Sequence, residues 1–175
     1  MKNYLLAIII SITTLCAKAQ VPVDRDTEKV TYTDVVTVDG DKDDLFKRCV
    51  YWLNETYSNP ASVTSIRDYE TGKIKGSHRF KLYVDNDGFK KASGMVVYNF
   101  TIEFKDGKYR YTLTDFYVKK GSKFYIEQWL NKSDPQYSPV WDNYLSQIDT
   151  FAKDWISGLK EMMLPPKPKV DKSQW

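Results

Sequence analysis

Val96, Tyr98, Phe100, Ile102 and Phe104 alternate with Val97, Asn99, Thr101 and Glu103. After Lys105-Asp106-Gly107-Lys108 the pattern resumes, with Tyr109, Tyr111 and Leu113 against Arg110, Thr112 and Thr114. Two period-2 runs joined through Asp-Gly specify a β-hairpin. One face is apolar and the other polar, so one side of the sheet must be covered and the other wet. That single feature restricts the fold to a half-covered antiparallel sheet.

The remaining segments supply the cover and further strands. Lys29 to Val38 reads as a strand whose alternation slips at Asp34-Val35, the mark of a bulge. Asp41 suits an N-cap, and Asp43 and Asp44 complement the dipole of a helix running to about Tyr57. Leu45, Cys49, Trp52, Leu53 and Thr56 share one face of it, and Asn59-Pro60 stops it. Val63 to Tyr69 and Ile74 to Val84 read as strands around Glu70-Thr71-Gly72-Lys73, and Asp85-Asn86-Asp87-Gly88 turns the chain again. Lys119 to Asp134 is a polar, partly aromatic connection. Ser138-Pro139 reads as the N-cap and first residue of a long helix. Its stripe comprises Trp141, Tyr144, Leu145, Ile148, Phe151, Ala152, Trp155, Leu159 and Met163, and Pro165-Pro166 ends it. The expected fold class is α+β: a single domain ordered β-α-β-β-β-β-α, with two helices packed on one face of an antiparallel sheet.

The chain ends carry different signals. Lys2, the apolar run Leu5 to Ile12 and Ala17-Lys18-Ala19 form a secretory signal peptide over residues 1–19, with cleavage before Gln20. The run is too short to anchor the chain permanently, which takes roughly 20 residues. A lipoprotein signal would use Cys16, but Leu15 stands where a small residue belongs. The expected organisation is therefore a signal peptide at 1–19, a loose lead-in at 20–28, the domain at 29–164 and a Pro/Lys-rich tail at 165–175. The destination is the periplasm or the exterior, with no transmembrane segment in the mature chain.

Of 26 basic residues in the whole chain, cleavage removes Lys2 and Lys18, leaving 24 against 23 acidic ones. A balance so near neutrality excludes the electrostatic footprint of a nucleic-acid binder. Only Cys49 remains, so no intramolecular disulfide forms and stability rests on the core. The high aromatic fraction, 15% of the chain, suits a small domain that must bury large side chains.

Three phrases carry a family resemblance. They are Lys42-Asp43-Asp44-Leu45-Phe46-Lys47-Arg48 with Trp52, Asp68-Tyr69-Glu70-Thr71-Gly72-Lys73-Ile74-Lys75-Gly76, and Phe100-Thr101-Ile102-Glu103-Phe104-Lys105-Asp106-Gly107-Lys108-Tyr109-Arg110. In that order, over roughly residues 30–120, the chain resembles a family of exported bacterial domains of unknown function with a TBP-like fold. The resemblance implies a TBP-like domain and an exported bacterial setting, and brings no catalytic residues. The DNA-binding saddle that gives the fold its label uses two repeats and apolar wedges. This chain has one repeat and no aromatic wedge on its polar strand face, so fold does not carry function.

Candidate chemistry is sparse. His78, the only histidine, lies between Ser77 and Arg79 and reads as a residue on the exposed side of a strand. Cys49 lies on an apolar helical stripe, where a thiol is inert. Asp39, Asp41 and Asp43 have the alternate spacing of a calcium loop, but Asp44 and Val50 occupy the positions that need Gly and Glu. Asp85-Asn86-Asp87-Gly88 reads as turn chemistry. No nucleophile, phosphate-loop, metal or cofactor motif is present.

The expected function is an exported, non-enzymatic domain binding a protein or glycan partner in the bacterial envelope. The candidate surface is the open sheet face with Asn99, Thr101, Arg110 and Thr112, together with Phe124, Trp129 and Tyr137 in the connection before the last helix. The alternative is a small hydrolase-like enzyme using carboxylates, with Asp68, Glu70 and Glu103 as the acids.

Overall fold

A computed structural model describes residues 21–166, so residues 1–19 of the expected signal peptide and 167–175 of the expected tail lie outside the described residues. Strand β1 (Tyr32–Thr37) leads through Asp39-Gly40 into helix α1 (Lys42–Thr56). Asp41 caps α1 by accepting a hydrogen bond from the Asp44 amide at 2.7 Å. Then follow a short helix α2 (Pro60–Val63) and the strands β2 (Thr64–Asp68), β3 (Lys73–Asn86), β4 (Phe89–Lys105), β5 (Lys108–Lys120) and β6 (Ser122–Tyr125). A 3-10 turn (Ile126–Leu130) precedes the long helix α3 (Val140–Met162).

The six strands form one antiparallel sheet in the order β1-β5-β4-β3-β2, with β6 also pairing β5 beyond the end of β1. Tyr98, Phe100, Ile102 and Phe104 of β4 and Tyr109, Tyr111 and Leu113 of β5 are buried beneath α1 and α3. Helix α1 contributes Leu45, Phe46, Cys49, Trp52 and Leu53, while α3 contributes Leu145, Ile148, Ala152, Trp155 and Leu159. The helices meet where Trp52 and Trp155 pack edge to face, ring centroids 4.8 Å apart. Each fully buried side chain of this size contributes about 1.5–3 kcal/mol.

Most polar groups in the core are paired, the Tyr109 hydroxyl being buried without a hydrogen-bond partner among the described residues. Trp155 Nε1 donates to the Tyr57 hydroxyl at 2.8 Å, and that hydroxyl shares a 3.1 Å bond with Tyr98. Asp149, the buried acid of α3, accepts from the Tyr32 hydroxyl at 3.1 Å and from Lys153 Nζ at 2.6 Å. Arg48 ties the two helices together. It donates to the carbonyls of Asp39 at 2.9 Å and Met163 at 2.7 Å, and also pairs with Asp44.

Several expectations change. Asn59-Pro60 ends α1 but also starts α2, because Asn59 accepts from the Ser62 amide at 3.2 Å and Pro60 fits a first helical turn. The register of β1 runs unbroken through Asp34 and Val35; Asp34 faces the helices at the sheet edge, 3.3 Å from Lys160 Nζ. The N-cap of α3 is Pro139 rather than Ser138, and the helix ends at Met162. The lead-in is pinned rather than loose: Val21 is buried and Val23 forms a bridge with Val30. The polar connection after β5 contains a sixth strand and the 3-10 turn.

Candidate functional site: the open face of the sheet

The face away from the helices is uncovered among the described residues and is organised in rows by strand register. In one row Asp68, Lys73, Glu103, Arg110 and Val35 stand side by side across β2, β3, β4, β5 and β1. Lys73 Nζ donates to Glu103 Oε1 at 2.9 Å, and Arg110 Nε donates to Glu103 Oε2 at 3.0 Å. These two cations hold the Glu103 carboxyl below the usual range, the Lys73 hydrogen bond being the larger influence. The next row is Ile66, Lys75, Thr101, Thr112 and Thr33. Thr33 Oγ1 and Thr112 Oγ1 share a 3.0 Å bond. Beyond it lie Ser77, Asn99 and Thr114, with Thr31 Oγ1 3.0 Å from Thr114 Oγ1. The last row is Arg79, Val97, Tyr117 and Tyr125, and Lys123 Nζ sits 4.7 Å above the Tyr117 ring.

A bulge in β5 separates the last two rows. Asp115 takes φ 55° there, a left-handed conformation that aspartate, with glycine and asparagine, adopts more readily than most residues. Its carboxylate accepts from Lys29 Nζ at 2.5 Å and from Asn99 Nδ2 at 3.2 Å. Burial alone would raise the Asp115 carboxyl, but the bonds from Lys29 and Asn99 outweigh it and hold it below the usual range. The bulge therefore fixes Asn99, at the centre of the face.

Charge on this face is uneven in a way the whole-chain balance hides. Asp68 accepts from the Thr71 amide and hydroxyl, Glu103 lies between Lys73 and Arg110, and Asp115 holds Lys29. Every acid named here is already engaged. Lys75, Arg79 and Lys119, by contrast, have no ion pair among the described residues; Lys75 and Arg79 alternate with the buried or half-buried Ile74, Gly76, His78 and Phe80, and Lys119 follows the buried Val118.

Of the residues singled out from sequence, Asn99, Thr101, Arg110 and Thr112 all lie on this face, three of them half-buried and Arg110 exposed. Phe124, Trp129 and Tyr137 do not. Trp129 is 3% exposed, packed against Phe124, Trp141 and Tyr144 with centroids 6.1, 6.4 and 5.3 Å away. Tyr137 packs against Trp141 at 5.8 Å. The three form a satellite aromatic cluster under the β6 end, because the segment folds back on α3. His78 is also relocated. It points inward, half-buried beside Tyr57 at 4.8 Å, and burial followed by the nearby Arg79 charge lowers its basicity.

The acids proposed for hydrolysis do not converge. Asp68 and Glu103 flank Lys73 from strands two apart, roughly 10 Å at ordinary strand spacing. Both are held below the usual carboxylate range, Asp68 first by its Thr71 hydroxyl, so neither is poised as an acid. Glu70 is exposed in the β2–β3 turn. Cys49 is fully buried, and burial pushes its thiol up. No group of three or more His, Cys, Asp or Glu residues able to hold a metal occurs among the described residues.

An open groove of ≈ 460 Å³ lies between β3 and α3 and includes Phe80, Tyr83, Phe151 and Asp154. The Gln147 amide crosses it, accepting from Tyr83 N at 2.9 Å and donating to Tyr83 O at 2.8 Å. It thereby occupies the backbone positions that an added strand would use.

An antiparallel sheet with helices on one face and, among the described residues, an open second face is an α+β arrangement that the TBP-like fold shares. The chain's residues 32–119 match the model of the domain of unknown function DUF4468 with TBP-like fold, and the protein belongs to that family. The match spans β1 to most of β5 and stops before α3. A TBP-like protein of Parabacteroides distasonis is similar in structure at TM-score 0.65 and 15% identity, over 82% of this chain and 96% of that one. A DUF4468 family protein of Bacteroides ovatus is similar at TM-score 0.66 and 16% identity, over 86% of this chain and 94% of that one. No curated protein matches.

Proposed function

We propose that the protein is an exported binding domain of the bacterial envelope and that the open sheet face is its contact surface. The observation that supports this reading is the set of unpaired cations Lys75, Arg79 and Lys119 beside rows of Thr, Ser and Asn side chains, on a face whose acids are all engaged. With its acids paired and these cations unengaged, the face carries a net positive charge that favours an anionic partner. Export rests on the signal-peptide pattern of residues 1–19.

The test compares residues 20–175 as wild type, as K75E/R79E on the open face and as K47E on the exposed side of α1, for retention of envelope and culture material. The reading expects K75E/R79E to abolish retention and K47E to leave it unchanged. Loss in K47E alone, or in neither variant, overturns it.

A further inference from the structure

We infer that the open face takes an acidic polysaccharide, a carboxylated or sulfated glycan lying across β3, β4 and β5. The inference rests on the reading of that face as the contact surface and names its ligand. Lys75 and Arg79 stand on the same face of β3 four residues apart, roughly 14 Å at strand rise, and Lys119 lies two strands away. Cations so dispersed match a chain with repeated negative groups better than a single small anion. Between them the surface offers hydroxyls and one amide, from Ser77, Asn99, Thr101, Thr112 and Thr114, at the spacing of neighbouring strands, about 4.8 Å. Ser77 Oγ donates to the Tyr98 carbonyl at 3.0 Å, Asn99 donates to Asp115, and Thr112 and Thr114 share bonds with Thr33 and Thr31. These groups therefore meet a sugar hydroxyl with their remaining lone pairs, while Thr101, with no side-chain hydrogen bond among the described residues, can also donate.

Other anionic polymers fit the face less well. Single-stranded nucleic acid stacks its bases on aromatic side chains. Here the only aromatic pair among the named rows, Tyr117 and Tyr125, lies at the edge, with the Lys123 ammonium already over the Tyr117 ring. A protein interface has an apolar, aromatic-rich centre. The centre of this face is threonine, serine and asparagine.

The test is titration of residues 20–175 with alginate, heparin, neutral dextran, polyglutamate and oligothymidylate at two salt concentrations. The inference expects alginate or heparin to bind, dextran to fail, and affinity to fall as salt rises. K75A/R79A should weaken binding about tenfold, equivalent to about 1.4 kcal/mol. T101V/T112V removes hydroxyls without removing charge. It should weaken polysaccharide binding and leave any residual polyglutamate binding unchanged, with circular dichroism confirming the fold. Polyglutamate or oligothymidylate binding as tightly as polysaccharide, indifferent to T101V/T112V, overturns the glycan assignment and leaves the contact surface standing. So does failure of every anionic polymer while K75E/R79E still abolishes retention of envelope material. Polysaccharide binding that survives K75E/R79E overturns both.

Discussion

Gly76→Ala should unfold this domain more readily than any other single methyl we can place in its sheet. Gly76 lies on the covered side of β3, opposite Phe100. A Cβ there would stand 2.3 Å from Phe100 Cζ and 2.4 Å from the Val63 carbonyl oxygen. Ordinary carbon contacts are about 3.5–4.0 Å, so each neighbour must retreat by more than about 1 Å. Phe100 has nowhere to go, since Tyr57 stacks on it at 6.4 Å and Trp155 packs at 5.7 Å. Val63 O belongs to the backbone at the end of α2 and moves only with that helix. Overpacking of this kind costs about 3 kcal/mol. The lower chain entropy of alanine returns only about 0.5–1 kcal/mol, so the net loss is about 2–2.5 kcal/mol. For a domain of this length that is a fall in Tm of roughly 6–8 °C. Gly94→Ala is the control: its Cβ would meet only Val118 Cγ1, at 3.9 Å. Thermal and urea unfolding of both variants should show G76A strongly destabilised and G94A equal to wild type or up to about 1 kcal/mol more stable. Equal stability of the two would refute the reasoning.

Native Cys49 should resist thiol reagents and label only when the chain unfolds, because it is fully buried and burial disfavours its thiolate; rapid labelling of the native protein would show the α1 face to be open. Burial raises the phenols of Tyr32, Tyr98 and Tyr109, so the folded state favours their protonated forms. Their contribution is complete below the ordinary phenol value of 10.0 and is lost as pH rises above it, which urea unfolding at about pH 8 and about pH 11 would detect. Tyr109→Phe should be neutral or stabilising by up to about 1 kcal/mol, since the hydroxyl is buried without a hydrogen-bond partner among the described residues. A loss above about 1 kcal/mol would mean that it has one. The secreted protein should begin at Gln20, and a diacylglyceryl mass on Cys16 in its place would contradict the signal-peptide reading.

The alternation from Val96 to Leu113 made the half-covered sheet legible, because side-chain period and burial coincide residue by residue. The Asp41 cap was legible for a similar reason: its hydrogen bond is local. His78 was misplaced although the sequence held the answer. Ser77 and Arg79 are on the open face, and alternation puts the residue between them on the other. Trp129 was beyond local reasoning, since its burial depends on Trp141 and Tyr144, brought close by the return of α3. The first part of β4, Phe89 to Gly94, has no apolar alternation and is a strand because β3 pairs with it. Half the candidate face, Asn99, Thr101, Arg110 and Thr112, came from the hairpin pattern. Lys75, Arg79 and Lys119 were missed because a near-neutral sum conceals one-sided charge. The signal that would have found them is the alternation of Lys73, Lys75, Ser77 and Arg79 with Ile74, Gly76, His78 and Phe80.

The most direct test of the open-face account is backbone amide chemical-shift mapping of residues 20–175 titrated with alginate oligosaccharide. The account predicts saturable shifts confined to Lys75, Ser77 and Arg79 of β3, Asn99 and Thr101 of β4, and Thr112, Thr114 and Lys119 of β5. Shifts that instead cluster along the groove of Phe80, Gln147 and Phe151, or on the exposed side of α1, would contradict it.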